Sequence, residues 1–298
     1  MPESFIQFLK RHKEKALLVG AGLVILDISL LAGIAGFIGG NTALSLSFLD
    51  VGQGDAEYMV LPSGVRVLVD GGPPGTASLS ALAKLASQND RYIDLVAMTH
   101  PQTDHIGGLI EVLKRYDVGA FLWPGRTNDI PAFRELMRVA RERNVRTIEL
   151  GEGDAIRTGA DRIAVLSPGR AFLASKDTND STLVLLLESA GIRVLFAGDI
   201  GSEVERMLAR AHPGTVDILK VPHHGSRFSS TQLFLDAVRP LLAVIEVGKN
   251  SYGHPTDETL ARLGAAGARV LRTDLDGTVT IRVEDGAHAR ITTGKAAF

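Results

Sequence analysis

Apolar residues run without a polar face from position 16 to position 38, then give way to short, punctuated runs. The first stretch reads ALLVGAGLVILDISLLAGIAGFI, 23 residues carrying one charge, Asp27. At ~1.5 Å per residue it would span roughly 34 Å, enough for a bilayer core. Lys10, Arg11, Lys13 and Lys15 precede it. A basic flank predicts that this end stays cytoplasmic and that the remainder lies outside. Asp27 near the centre costs about 2.5–3.5 kcal/mol, which the apolar neighbours offset. A cleaved signal peptide is the alternative, with residues 16–26 as its apolar run and the small residues Gly33 and Ala35 behind. A buried soluble helix is a third reading. The length favours an uncleaved anchor.

Gly39-Gly40-Asn41-Thr42 marks a flexible joint. It divides the chain into an anchor with its linker (1–41) and one large domain (42–298). Within that domain, residues 43–49 alternate apolar and polar and predict a strand. Strands are also predicted at 57–61, 65–69, 93–99, 119–123, 163–166, 182–188, 192–197, 216–221, 241–247 and 269–272. Apolar spacing at three and four residues predicts helices at 79–87, 108–116, 132–143, 202–210, 232–238 and 257–263. Strands outnumber helices, which implies packed sheets covered by helices, an α/β layered fold.

Composition narrows the chemistry. The 298 residues include no cysteine, which excludes disulfides, thiolate metal sites and a cysteine nucleophile. Any metal must be held by His, Asp, Glu or amide oxygens. A net charge of −2 gives no overall attraction to nucleic acid, so a basic binding surface would have to be local.

Candidate ligands fall where predicted strands end. Thr99-His100-Pro101-Gln102-Thr103-Asp104-His105-Ile106-Gly107-Gly108 places two imidazoles and a carboxylate on the turn after one strand. The glycine pair is expected to let the backbone turn into the following helix. Gly198-Asp199 ends a second strand, and Pro222-His223-His224-Gly225-Ser226 a third. Asn250-Ser251-Tyr252-Gly253-His254-Pro255 forms a tight loop after a fourth. Any one of these histidines alone is ordinarily a packed or capping residue. Five of eight on loops at strand ends (100, 105, 223, 224 and 254) are better explained as one site.

These pieces together resemble the metallo-β-lactamase superfamily. Within it the chain is most similar to the extracytoplasmic domain of ComEC-type DNA-uptake (competence) proteins. Further matching segments are Leu49-Asp50-Val51-Gly52-Gln53-Gly54-Asp55-Ala56, Asp70-Gly71-Gly72, Asn179-Asp180-Ser181-Thr182-Leu183-Val184 and Thr273-Asp274-Leu275-Asp276-Gly277. The resemblance covers about residues 44–285. It implies a four-layer αββα sandwich, here preceded by one transmembrane helix, with one or two divalent metals at the edge of the two sheets. By position, Asp104, His105, Asp199 and one of His223 and His224 would hold one ion, and we expect His223 to be that ligand. His100 would serve the other ion. Gln102 stands where a second histidine is expected, and Asn179-Asp180 occupies the region of a third. So oxygen-rich a set favours manganese over zinc.

The resemblance also implies the reaction. A metal-dependent phosphodiesterase or nuclease needs Asp104 at the metal and a proton donor to the leaving oxygen, for which His224 and His254 are candidates. Asp55 is a further catalytic candidate; Asp70 is expected to orient a ligand. The substrate would be DNA, the membrane contact residues 16–38, and a separate DNA-channel protein a possible partner. Arg134, Arg138, Arg141, Arg143 and Arg146 lie on or just past one helix, as a phosphate track or simply a solvated face. Two rival functions remain: a hydrolase of another ester, lactone or lactam, and a non-catalytic binding domain with an eroded metal site, suggested by Gln102.

Overall fold

A computed structural model describes residues 43–85, 90–284 and 288–295. The anchor expected at residues 16–38 lies outside the described residues. Among those described, no helix is long and apolar enough to cross a membrane.

Strands β1 (Leu44–Phe48), β2 (Glu57–Val60) and β3 (Arg66–Val69) form an antiparallel meander. Helix α1 (Ala77–Leu85) then leads to β4 (Tyr92–Ala97), α2 (Thr103–Arg115), β5 (Asp117–Trp123), α3 (Pro131–Glu142) and β6 (Arg146–Glu149). From β3 onward these strands are parallel, as helical crossovers require. The second half opens with the hairpin β7 (Ala155–Thr158) and β8 (Asp161–Ser167) and the short helix α4 (Arg170–Leu173). It continues with β9 (Val184–Ser189), β10 (Ile192–Phe196), α5 (Ser202–Ala211), β11 (Ile218–Lys220), α6 (Gln232–Val238), β12 (Leu242–Ile245), α7 (Asp257–Ala265), β13 (Arg269–Arg272) and α8 (Thr273–Asp276). The chain finally returns to the first sheet as β14 (Val279–Val283) and β15 (Ala289–Thr293). The orders are β15-β14-β1-β2-β3-β4-β5-β6 and β13-β12-β11-β10-β9-β8-β7.

Three apolar layers explain the stacking. Leu44, Leu46 and Phe48 occupy alternate positions of β1 and meet Val194 and Phe196 of β10 between the sheets. The Phe48 and Phe196 rings lie 6.3 Å apart. Burial of each such side chain contributes about 1.5–3 kcal/mol. On the outside of the first sheet, Leu82 of α1, Leu109 and Leu113 of α2, and Leu136 of α3 pack on Leu68, Val96 and Phe121. On the outside of the second, Val204 and Leu208 of α5, Phe234 of α6 and Leu263 of α7 pack on Leu195, Leu219 and Ala243. The result is the expected αββα sandwich.

Two local expectations change. Helix α2 begins at Thr103, so Asp104 and His105 sit on its first turn and the glycine pair lies inside it. A Cβ at Gly108 would collide with the Gly71 carbonyl, and one at Gly107 with Pro74. The pair therefore permits close approach of the 71–74 loop instead of making a turn. Strands β6, β7 and β15 are largely exposed edges whose polarity hides them in the sequence. Of the two readings of the arginines on and just past α3, three side chains fit the solvated face. Arg134 pairs with Asp129, Arg138 with Glu135 and Glu142, and Arg143 with Asp117. These three bind neighbouring carboxylates, as on a solvated face, and make no free phosphate track.

Candidate metal centre

The ends of β4, β10 and β11 and the first turn of α2 meet on one edge of the sandwich. The first contribution is His100, just past β4 and fully buried, with Nδ1 held 3.0 Å from Thr99 Oγ1. Five residues on, His105 is also fully buried, its Nδ1 2.8 Å from Asp70 Oδ2. His224 places Nδ1 2.8 Å from the Glu246 carbonyl. A carboxylate or carbonyl oxygen only accepts, so Nδ1 of His105 and of His224 carries the proton. Each Nε2 is therefore the nitrogen a metal would take, in place of the second proton that the surrounding carboxylates favour on His105 and His224.

Those nitrogens converge. Nε2 of His100, His105 and His224 are all buried without a hydrogen-bond partner, as is Oδ1 of Asp199. Asp199 Oδ2 lies 3.3 Å from His105 Nε2 and 3.5 Å from His224 Nε2. Asp104 Oδ2 lies 3.4 Å from His224 Nε2. Among the described residues five groups could hold an ion; two are Asp104 with His105 and His224, and His100 with His105 and Asp199, and the other three each include the buried Asp55. Buried polar atoms are ordinarily satisfied. Three unsatisfied imidazole nitrogens, each with its other ring nitrogen pinned, beside an Asp199 carboxylate oxygen suit a divalent metal site.

The local charge agrees. Asp55, Glu57, Asp70, Asp199 and Glu246 are buried around this point, and Lys220 is the buried lysine among them. Lys220 Nζ pairs with Asp55, donates to the Gly198 carbonyl at 2.9 Å and lies 3.6 Å from Asp199 Oδ1. Burial pushes His100 down to about 3, so its ring is neutral and free to ligate. Burial alone would also lower His224, but the carboxylates of Asp199 and Asp55 push it up to about 10. Burial and the charge of Asp55 raise Glu246 to about 8. Both upward shifts reflect carboxylates crowded together in a buried place, whose charge a divalent cation would also offset.

The backbone is bent to make this arrangement. Asp70, His223 and His224 adopt left-handed conformations, with φ of 54°, 51° and 53°. Such conformations are strained for non-glycine residues and cluster at functional sites. Gly54 has no such strain to bear, but a Cβ there would strike the Asp104 carbonyl.

Of the eight predicted site residues, the structure brings His100, Asp104, His105, Asp199 and His224 into the ligand groups above, with Asp55 buried behind them and His223 and His254 on the cleft wall. His224, predicted as a proton donor, is the member of its pair that faces Asp104 and Asp199. His223, predicted as the ligand, is about a third exposed, with Nε2 3.8 Å from Asp199 Oδ2. The left-handed turn at both residues separates their directions, which residue order alone does not reveal. Asp55, predicted as catalytic, is fully buried behind the ligands and absent from the cleft wall. Its neighbours are Lys220 and, at 3.2 Å, His224 Nδ1. His254 lies on the cleft wall as expected, its ring 5.7 Å from His223. Burial and the nearby His223 and His224 push it down to about 4, which leaves a neutral imidazole rather than a cationic acid.

Lys220, Glu57 and Glu246 were not predicted. Their signal is a charged residue inside an otherwise apolar strand or at its end. Gln102, in the expected place of a histidine, donates to Asn179 Oδ1 and, at 2.9 Å, to Thr178 Oγ1. The open side of the centre is a cleft of about 500 Å³, lined among others by Gln53, Pro73, Gln102, Asn179, Tyr252 and His254.

Fold and site define a metallo-hydrolase sandwich, and the Metallo-beta-lactamase superfamily profile matches residues 50–248, so the chain belongs to that superfamily. Its relatives there include competence proteins. It is 32% identical over 260 residues to ComE operon protein 3 of Bacillus subtilis, covering 80% of this chain and 33% of that protein. It is 30% identical over 267 residues to competence protein ComA of Neisseria gonorrhoeae, covering 87% of this chain and 36% of that one. The chain thus spans about a third of the length of these relatives. Among solved structures, CmlA, a diiron beta-hydroxylase from Streptomyces venezuelae, superposes with a TM-score of 0.57 at 17% identity, over 80% of this chain and 54% of that one. That likeness concerns the fold alone.

Proposed function

We propose that this protein is a metal-dependent phosphodiesterase acting on DNA, anchored in a membrane by residues 16–38 with its catalytic domain outside the cytoplasm. The observation that carries the reading is the convergence of three unpartnered Nε2 atoms and Asp199 beside a cleft that Asp104, Asp199 and His224 line. Asp104, His105 and His224 would hold one divalent ion, with Asp199 between it and a second position beside His100. The oxygen-rich donor set supports manganese over zinc. A divalent ion in such a site supplies Lewis-acid polarisation of a phosphoryl group and acidifies water.

The protein's own part is positional. Asp70, Thr99 and the Glu246 carbonyl fix the three imidazole rings. The Gln102 and Asn179 amides stand on the cleft wall, within reach of a substrate's phosphate oxygens. His223 and His254 line the same cleft and are placed to hydrogen-bond a leaving oxygen. The competence names of the relatives support DNA as the substrate, and a separate channel protein as a partner.

The test is metal analysis and turnover on the purified full-length protein. We expect at least one equivalent of bound manganese and manganese-stimulated cleavage of single-stranded DNA. Under half an equivalent of any transition metal, with no cleavage, would overturn the enzyme reading. The Gln102–Asn179 hydrogen bond favours a second reading, a binding domain with an incomplete metal site, and that result would support it. For topology, a membrane-impermeant label applied from outside is expected to modify residues beyond 42 in intact cells. Labelling only from the cytoplasmic side would refute the placement.

A further inference from the structure

Beside the metal cleft stands a tyrosine that the mechanism does not use. Tyr252 lines the cleft, yet it is 70% exposed. Single exposed apolar rings are common and need no explanation by themselves. This one differs in how firmly it is presented. Oδ1 of Asn250 accepts from the backbone N–H of both Tyr252 and His254, at 3.0 Å each. Nδ2 of Asn250 donates to the carbonyls of Gly248 and His254, at 2.9 and 2.8 Å. One side chain thus ties the whole 248–254 loop. Gly248 in turn packs directly on the backbone of Gly52 and Gln53, where a Cβ would not fit. The loop is built to hold its shape, with an aromatic ring left uncovered.

The ring also has a direction relative to the chemistry. Tyr252 lies 5.7 Å from the His254 ring at an interplanar angle of 30°. His254 lies 5.7 Å from the His223 ring, which reaches Asp199. Three rings therefore step outward from the metal centre along one wall, and the outermost is free to receive a flat group. Arg227 and Lys249 are exposed on the two loops that carry these rings. Cations of that kind suit a phosphate backbone.

We infer that Tyr252 is a stacking platform for an unpaired nucleobase, positioning a single-stranded nucleic acid so that a phosphodiester a nucleotide or so away reaches the metal centre. This rests on the phosphodiesterase reading and sharpens its substrate from DNA in general to strands with unstacked bases. Inside a duplex both faces of a base are already covered, so the same ring finds a free face only at an end. Tyr252 acts on the substrate and not on the reacting atoms. Its loss changes which polymers are taken and leaves the chemistry of a bound phosphodiester intact.

The experiment compares oligothymidylate with an abasic oligomer of equal length, on the full-length protein and on Tyr252→Ala and Tyr252→Phe. Both cleavage with manganese and binding without it, by fluorescence anisotropy, are measured. Stacking of one base contributes a factor of about 5 to 150. The wild-type protein is expected to prefer oligothymidylate over the abasic oligomer by such a factor, in binding and in kcat/KM. Tyr252→Ala should erase the preference and Tyr252→Phe keep it, with the abasic oligomer handled alike by all three. A preference that survives in Tyr252→Ala would overturn the inference. So would an equal loss on both oligomers, which would mean that the residue serves the site itself. If no phosphodiester is cleaved by the wild-type protein, the proposed reaction fails, and the anisotropy comparison still decides whether Tyr252 binds bases.

Discussion

Asp70 Oδ2 accepts from His105 Nδ1 at 2.8 Å, and the same carboxylate takes the backbone N–H and hydroxyl of Thr99, the residue before His100. One buried carboxylate thereby sets the direction of two candidate ligands from two different elements. It donates nothing to a metal while its oxygens are so engaged. Substituting Asp70→Asn keeps the left-handed backbone, which asparagine tolerates. It also removes the charge and turns an N–H₂ toward donors. We expect manganese affinity to fall by about 10- to 100-fold, the usual consequence of losing a partner of a ligating histidine. Isothermal titration measures this, and an unchanged affinity would show that Asp70 does not orient His105.

Asp104 is the ligand nearest solvent, with its side chain about a third exposed at the start of α2. Asp104→Ala therefore removes a donor without opening a core cavity. Activity is expected to fall below one hundredth of wild type, while the metal-free unfolding midpoint stays within a few degrees. Full activity in this variant would displace the site from where the geometry puts it.

The adjacent histidines separate by the same logic. His224→Ala deletes an Nε2 that faces two carboxylates, so bound metal should drop by at least one equivalent or become undetectable. His223→Ala should retain the metal and lose turnover instead. Metal content measured after gel filtration distinguishes the two, and the opposite pattern would restore His223 as the ligand.

Lys220 presents the clearest stability test. Its ammonium is fully buried between Asp55 and Asp199. Lys220→Met preserves the shape and strands those carboxylates without a cation. Leaving a buried charge unpaired typically costs about 3–5 kcal/mol. Chemical denaturation of the metal-free protein should show a loss of that size. Saturating manganese should restore part of it, since a ligand that binds only the folded state stabilises by about 2.7 kcal/mol at a hundredfold excess over Kd. A neutral substitution would mean that the carboxylates take up protons and need no lysine.

Much of the fold is legible along the chain. The strand-forming runs before His100, Asp199 and His223 sit where alternation and apolar content place them, because burial on both faces of a sheet leaves a strong local pattern. The exposed edges β6, β7 and β15 leave none. Gly107 and Gly108 show how a local rule misleads: their cause is the approach of the 71–74 loop, more than thirty positions earlier. Lys220 carries a faint signal along the chain, because one charge in an apolar strand gains meaning only from its partners, Asp55 and Asp199, which the fold brings around it.

The sequence by itself determined the kind of chemistry available. It contains no thiolate, it gathers histidines and aspartates at strand ends, and it spaces them in the order of a known superfamily. Only the tertiary structure decided which atoms are aimed at the centre. The ring of His105 is turned by Asp70, 35 positions away, and that of His224 by the Glu246 carbonyl, 22 positions away. A histidine's ligating nitrogen is chosen by the hydrogen bond at the other nitrogen, and here those bonds come from other segments of the fold.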